Sequence, residues 1–118
     1  MVAEDMAAVR AVTREMLERY GYTVLEAADG EAAQRIADGF EGRIDLVLTD
    51  VVMPHVGGRD LAEVLAKVRP ETRVLFMSGY TDDAVVRHGI LQDGIPYLQK
   101  PFTPKSLARK VREVLDRE

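Results

Sequence analysis

Five residues, Glu4, Asp5, Asp50, Ser78 and Lys100, are of the types that together carry out metal-assisted phosphoryl transfer. Carboxylates brought close to one another repel, and each raises the cost of ionising its neighbours unless a cation compensates. A divalent ion is the natural compensator. Magnesium prefers oxygen ligands and is commonly held by one or two carboxylates, with waters and substrate phosphate completing its shell. A remaining carboxylate is then free to act as nucleophile, because an Asp side chain can take a phosphoryl group as an acyl phosphate. Such a transfer needs mainly positioning and neutralisation of the equatorial oxygens. Lys100 could supply charge to them and Ser78 a hydrogen bond.

These residues can act together only if the fold gathers them. In the segment 7–20, Val9, Val12, Met16, Leu17 and Tyr20 recur at helical spacing, and Gly21 stops the helix. The segment 22–27 is short and β-prone; Asp29-Gly30 makes a turn, and 31–40 reads as a helix with Ala32, Ala33, Ile36 and Ala37 inward. The run 45–50 is apolar and bounded by acids, as a strand buried on both faces would be. Pro54, Gly57 and Gly58 interrupt the pattern. A helix resumes over 59–68 with Leu61, Leu65 and Val68 inward, and Pro70 marks its end. A buried strand follows at 74–77. Thr81 or Asp82 can cap a helix running to His88, with Gly89 and Gly94 around its exit. A last strand at 97–99 leads through Lys100-Pro101 to an amphipathic helix over 105–115, with Leu107, Ala108, Val111 and Leu115 on one side.

Strands alternating with helices predict a flavodoxin-like (βα)5 three-layer sandwich over residues 1–118, with a parallel sheet in the order 2-1-3-4-5. Ligands of such sheets collect outside the carboxyl ends of the strands. There the first strand ends in Glu4-Asp5, the third in Asp50, the fourth in Ser78, and the fifth leads into Lys100. Only Met1, Val2 and Ala3 precede the acidic pair, which is short for a central strand and leaves room for a native chain that begins earlier.

Composition narrows the function classes. A chain of 118 residues, 47% hydrophobic and 31% charged, is ordinary for one soluble globular domain. A net charge of -4 without a basic stripe argues against direct nucleic-acid binding. The absence of cysteine excludes disulfides and thiolate metal sites, and fits a cytoplasmic setting. No apolar run approaches the roughly 20 residues that cross a bilayer, so no membrane contact is expected of this chain.

Taken singly, each candidate has a plainer explanation. Acidic residues at strand ends are commonly solvated, Asp50 could simply form a turn before Met53-Pro54, Ser78-Gly79 could do the same, and Lys100 could be a surface lysine. Their common position changes the balance: four strand ends of five carry the groups that phosphoryl transfer requires.

Through Ala3-Glu4-Asp5, Leu48-Thr49-Asp50-Val51-Val52-Met53-Pro54, Phe76-Met77-Ser78-Gly79-Tyr80 and Gln99-Lys100-Pro101-Phe102, the chain resembles the response-regulator receiver family of two-component systems over nearly its whole length. The resemblance implies that Asp50 accepts a phosphoryl group from a histidine kinase or histidine phosphotransfer domain. It places Glu4, Asp5, Asp50 and the backbone carbonyl of Val52 around Mg²⁺, with Glu4 acting through water. It further implies that Ser78 turns towards the phosphoryl group, that Lys100 pairs with it, and that Tyr97 is the coupled switch aromatic. The surface of the last two helices and the fifth strand would then change, with a phosphorylation-dependent dimer as one outcome. A cis Lys100-Pro101 peptide is also implied, affordable because the second residue is proline. The wording of 76–83, Val86-Arg87-His88-Gly89 and 98–103 is most similar to receivers at the C-terminus of hybrid sensor kinases.

Some positions depart from that pattern or compete with it. The family often carries a polar residue where this chain has Val52, which with Tyr80 bears on phosphoryl lifetime. His55, in a Pro-Gly loop, and His88, near a helix end where a cationic ring suits the dipole, read as structural. Met6 and Met53 read as packing residues. A haloacid-dehalogenase-like phosphatase would want a second Asp at Val52. A mononucleotide or flavin binder would need a glycine- or hydroxyl-rich loop where Met6-Ala7-Ala8 stand. A pseudo-receiver that only binds proteins would not need the intact acidic set and Lys100.

Overall fold

The computed structural model describes residues 1–51, 53, 56–78 and 96–117. Along the chain run β1 (Val2–Ala3), α1 (Ala7–Arg19), β2 (Glu26–Ala27), α2 (Gly30–Gly39), β3 (Leu46–Asp50), α3 (Gly58–Val68), β4 (Arg73–Ser78), β5 (Tyr97–Gln99) and α4 (Pro104–Leu115). The five strands form one parallel sheet in the order β2-β1-β3-β4-β5, the flavodoxin-like order expected. The helix expected near 81–88 lies outside the described residues, as do Val52, Pro54, His55, Tyr80, Gly89 and Gly94.

Alternation along the strands builds both faces. Val2, Leu46 and Leu48 point into a core closed by Leu17 of α1 and by Leu107, Val111 and Val114 of α4. Ala3 and Val47 point to the other side, against Ala33 and Ala37 of α2 and Leu61 and Leu65 of α3. Every residue of β3 is buried, so the acidic end of that strand is carried on an element packed from both sides.

Local signals act where the sequence places them. The Asp29 side chain accepts a hydrogen bond of 2.7 Å from the Ala32 amide and starts α2. Thr103 and Ser106 form a capping box ahead of α4, with Pro104 at its first turn. Gly21 adopts φ +89° after α1, a conformation open to glycine at little cost. Arg69, just past α3, donates to the carbonyls of Ala37 at 2.8 Å, Gly42 at 2.9 Å and Phe40, and so binds the C-terminal end of α2 to the end of α3.

Several expectations are corrected. The β-prone 22–27 segment contributes only Glu26–Ala27 as strand, because a ladder is no longer than its partner and β1 has two residues. Met1 extends the pairing on the other side, its carbonyl accepting from the Leu48 amide at 2.8 Å. Val12, Tyr20 and Val68 are about half exposed, lying at the margins of their apolar stripes. In α4 the fully inward residue near the end is Val114, with Leu115 partly buried. Met53 does pack into the core, whereas Met6 is 59% exposed.

Candidate functional site

The parallel register brings the acidic residues together. Ala3 lies opposite Thr49 across the β1–β3 ladder, so the next residue on each strand, Glu4 and Asp50, emerges at the same carboxyl edge. One carboxylate oxygen from each of Glu4, Asp5 and Asp50 lies within 4.8 Å of the others. Glu4 and Asp50 are buried and Asp5 is exposed, giving the cluster one side open to solvent.

Lys100 follows β5, and its amide donates to the Ser78 carbonyl at 2.7 Å, continuing the β4–β5 ladder by one bond. Its ammonium then reaches Glu4 Oε1 and Asp50 Oδ1, each at 2.6 Å. The Lys100-Pro101 peptide is cis, as the resemblance implied.

Protonation follows from this crowding. Burial, then the neighbouring Glu4, pushes the Asp50 carboxyl up to about 8, with Lys100 opposing both. Burial also works against ionised Glu4, but hydrogen bonds with Asp50, Lys100, Asp5 and the Met6 amide prevail and hold it at about 2. The two carboxylates therefore titrate as a pair, which keeps a shared proton more readily than either group would alone. Asp5 is shifted upward by its hydrogen bond with Glu4 and by burial. Burial pulls the Lys100 ammonium down, yet its contacts with Asp50 and Glu4 win and shift it upward.

Ser78 ends β4 fully buried, and its hydroxyl oxygen has no hydrogen-bond partner among the described residues. A buried hydroxyl needs an acceptor, and none of the described residues supplies one. Tyr97 opens β5 opposite Phe76, partly buried against the small cluster of Phe76 and Val51, the residue after Asp50. Glu4, Asp5 and Asp50 thus form one cluster, Lys100 bridges Glu4 and Asp50, and Ser78 and Tyr97 lie on the adjoining strands.

Two contributors escaped the sequence reading. Arg10 donates to the Glu4 carbonyl at 2.8 Å; its signal was a cation on α1 shortly after the acidic pair. Gly58, whose amide donates to the Val51 carbonyl at 2.9 Å, shows in the sequence only as an interruption of the apolar pattern.

The donor set consists of oxygen alone and carries surplus negative charge, which suits a hard divalent ion such as Mg²⁺ better than a transition metal. A doubly wound parallel sheet with this cluster and a lysine on its carboxyl edge has the build of a signalling receiver. Residues 1–112 match the response regulator receiver domain, and the chain belongs to that family of two-component proteins. It is 39% identical over 118 residues to the sensor kinase CckA of Brucella abortus, matching all of this chain and 12% of that one. It is 35% identical over 117 residues to the transcriptional regulator NtrC of Azospirillum brasilense, covering 98% of this chain and 24% of that protein. Among solved structures it resembles the receiver domain of the hybrid histidine kinase CckA, with a TM-score of 0.79 and 36% identity over 98% of this chain and 96% of that one. A receiver domain from Clostridium thermocellum gives 0.84 and 28% over 98% and 91%. The chain therefore spans a small part of its curated full-length relatives.

Proposed function

We propose that residues 1–118 act as one receiver unit whose Asp50 accepts a phosphoryl group from a phosphohistidine of a kinase or histidine phosphotransfer domain. The observation that carries this reading is the Lys100 ammonium at 2.6 Å from both Glu4 and Asp50 inside a carboxylate cluster. An Asp50 oxygen attacks phosphorus, the bond from phosphorus to imidazole nitrogen breaks, and the histidine leaves with the electron pair. Glu4, Asp5, Asp50 and the Val52 carbonyl would hold Mg²⁺, which would supply charge neutralisation to the transferring oxygens. Lys100 follows the new negative charge, and the buried Ser78 hydroxyl donates to the phosphoryl oxygens. Tyr97 then repacks beside Phe76, and the surface of β5 and its flanking helices changes its preference for partners, a second copy included.

In this role the chain accepts and loses a phosphoryl group without turning over a separate substrate. The similarity to CckA favours a cytoplasmic receiver within a phosphorelay. The test is intact mass after incubation with acetyl phosphate and Mg²⁺, for wild type and Asp50→Asn. One added phosphoryl group, hydroxylamine-labile and absent from the variant, is expected; no adduct with any donor would overturn the reading in favour of a protein-binding pseudo-receiver.

A further inference from the structure

We infer that Arg10 is a positioning residue for the metal site: its guanidinium fixes the main chain of Glu4, and through it the carboxylates that bind the ion. The inference rests on the Mg²⁺ site proposed above. β1 is only two residues long, so the sheet stops restraining the chain just where the acidic pair begins. The Glu4 amide is still held, donating to the Ala27 carbonyl at 3.0 Å. The Glu4 carbonyl lies past the ladder, and there Arg10 donates to it at 2.8 Å. Arg10 is itself anchored. Its side chain is 20% exposed, and Nε lies 3.6 Å from Oε1 of Glu26 on β2. Glu26 is held in turn by Arg14 at 2.9 Å. One guanidinium thus ties α1, β2 and the end of β1 at the residue whose carboxylate contacts Asp50 and Lys100.

The alternative is that Arg10 acts only as a nearby positive charge. The two roles differ in sign. A cation beside a carboxylate cluster repels Mg²⁺, so removing a mere charge tightens metal binding. Removing a group that orients the ligands loosens it, on the order of tenfold to a hundredfold for groups standing behind metal ligands.

Calorimetric titration of the chelator-treated chain with Mg²⁺ separates them, using wild type, Asp50→Asn, Arg10→Met, Arg10→Lys and Glu26→Gln, each checked for a cooperative urea transition. Arg10→Met is expected to bind about tenfold more weakly. Arg10→Lys, which restores a donor, should recover most of that loss. Glu26→Gln leaves Arg10 in place but loosens its anchor, and should weaken binding by a smaller factor, which keeps the test open if Arg10→Met fails to fold. Unchanged or tighter binding by the Arg10→Met and Glu26→Gln proteins that fold would overturn the inference. Failure of wild type to bind Mg²⁺ would overturn the metal reading itself and this inference with it, a result told apart because it appears without any substitution.

Discussion

Gly58 lies flush against the backbone carbonyl of Asp50, with no room between them for a β-carbon. The Phe76 ring closes the other side of the same space. Gly58→Ala must therefore push the start of α3 away from β3 or twist Asp50 itself. A cost of about 1–3 kcal/mol is expected from such overpacking, read as a lower urea midpoint with an unchanged m-value. Acetyl phosphate labelling of Asp50 should slow in the same protein.

Lys100 occupies the space between Glu4 and Asp50, so it competes with any ion for the same oxygens. Lys100→Met is expected to bind Mg²⁺ more tightly in calorimetry and yet to accept phosphate from acetyl phosphate more slowly. Without metal, the variant leaves a buried carboxylate without its cation, and a loss of about 2 kcal/mol is expected in urea, discounted for the partial exposure of the ammonium.

The shared proton gives metal-free stability an unusual slope. Asp50 holds its proton up to about 8 in the folded chain, against 3.8 as its ordinary value. Across that window the folded chain keeps a proton at this site that the unfolded chain has lost, so the site's contribution to stability falls as pH rises from about 4 to about 8. Glu4 works in the opposite sense at lower pH: its contribution is present above 4.5 and lost as pH falls through about 2. Urea melts in chelator should thus show decreasing stability from pH 5 to pH 6; above that the buried Met1 amine, lowered to about 6, offsets the slope, and saturating Mg²⁺, which favours the ionised cluster, should flatten or reverse the fall.

Ser78→Ala removes a buried hydroxyl with no partner among the described residues, so it forfeits no hydrogen bond seen there. Its unfolding midpoint should be no lower than that of wild type, because the substitution removes the desolvation cost of a buried hydroxyl. The loss is expected only after phosphorylation, as a smaller change in the NMR signals of Tyr97 between the free and phosphorylated proteins.

Arg69→Ala leaves three carbonyls at the end of α2 without their cationic donor. A destabilisation of about 2 kcal/mol is expected from the lost charge-assisted bonds. The labelling rate of Asp50 should not change, because this staple sits away from the acidic edge.

The sequence showed most clearly what depends on types and order. The buried run ending in Asp50 declared β3, and the strand ends pointed to Glu4, Asp5, Ser78 and Lys100 as the residues of the carboxyl edge. Less visible was what depends on lateral pairing: β2 shrank to Glu26–Ala27 because its partner is short, a fact written in another segment. Periodicity placed Val12, Tyr20 and Val68 on apolar stripes, but the width of the neighbouring element decides which stripe members are covered. Arg10 and Arg69 went unremarked because an arginine that ends on backbone carbonyls looks, in one dimension, like any surface cation.

β3 is buried along all five residues and paired on both sides, by β1 and β4. β5 is three residues long, only half-buried, and paired among the described residues with β4 alone. The sheet thus grades from a stiff beam to a compliant edge, and amide exchange should be slowest in β3 and faster in β5. Asp50 rides on the beam and Lys100 on the edge. A force acting between them does its work where stiffness is least, so the edge yields while Asp50 stays put.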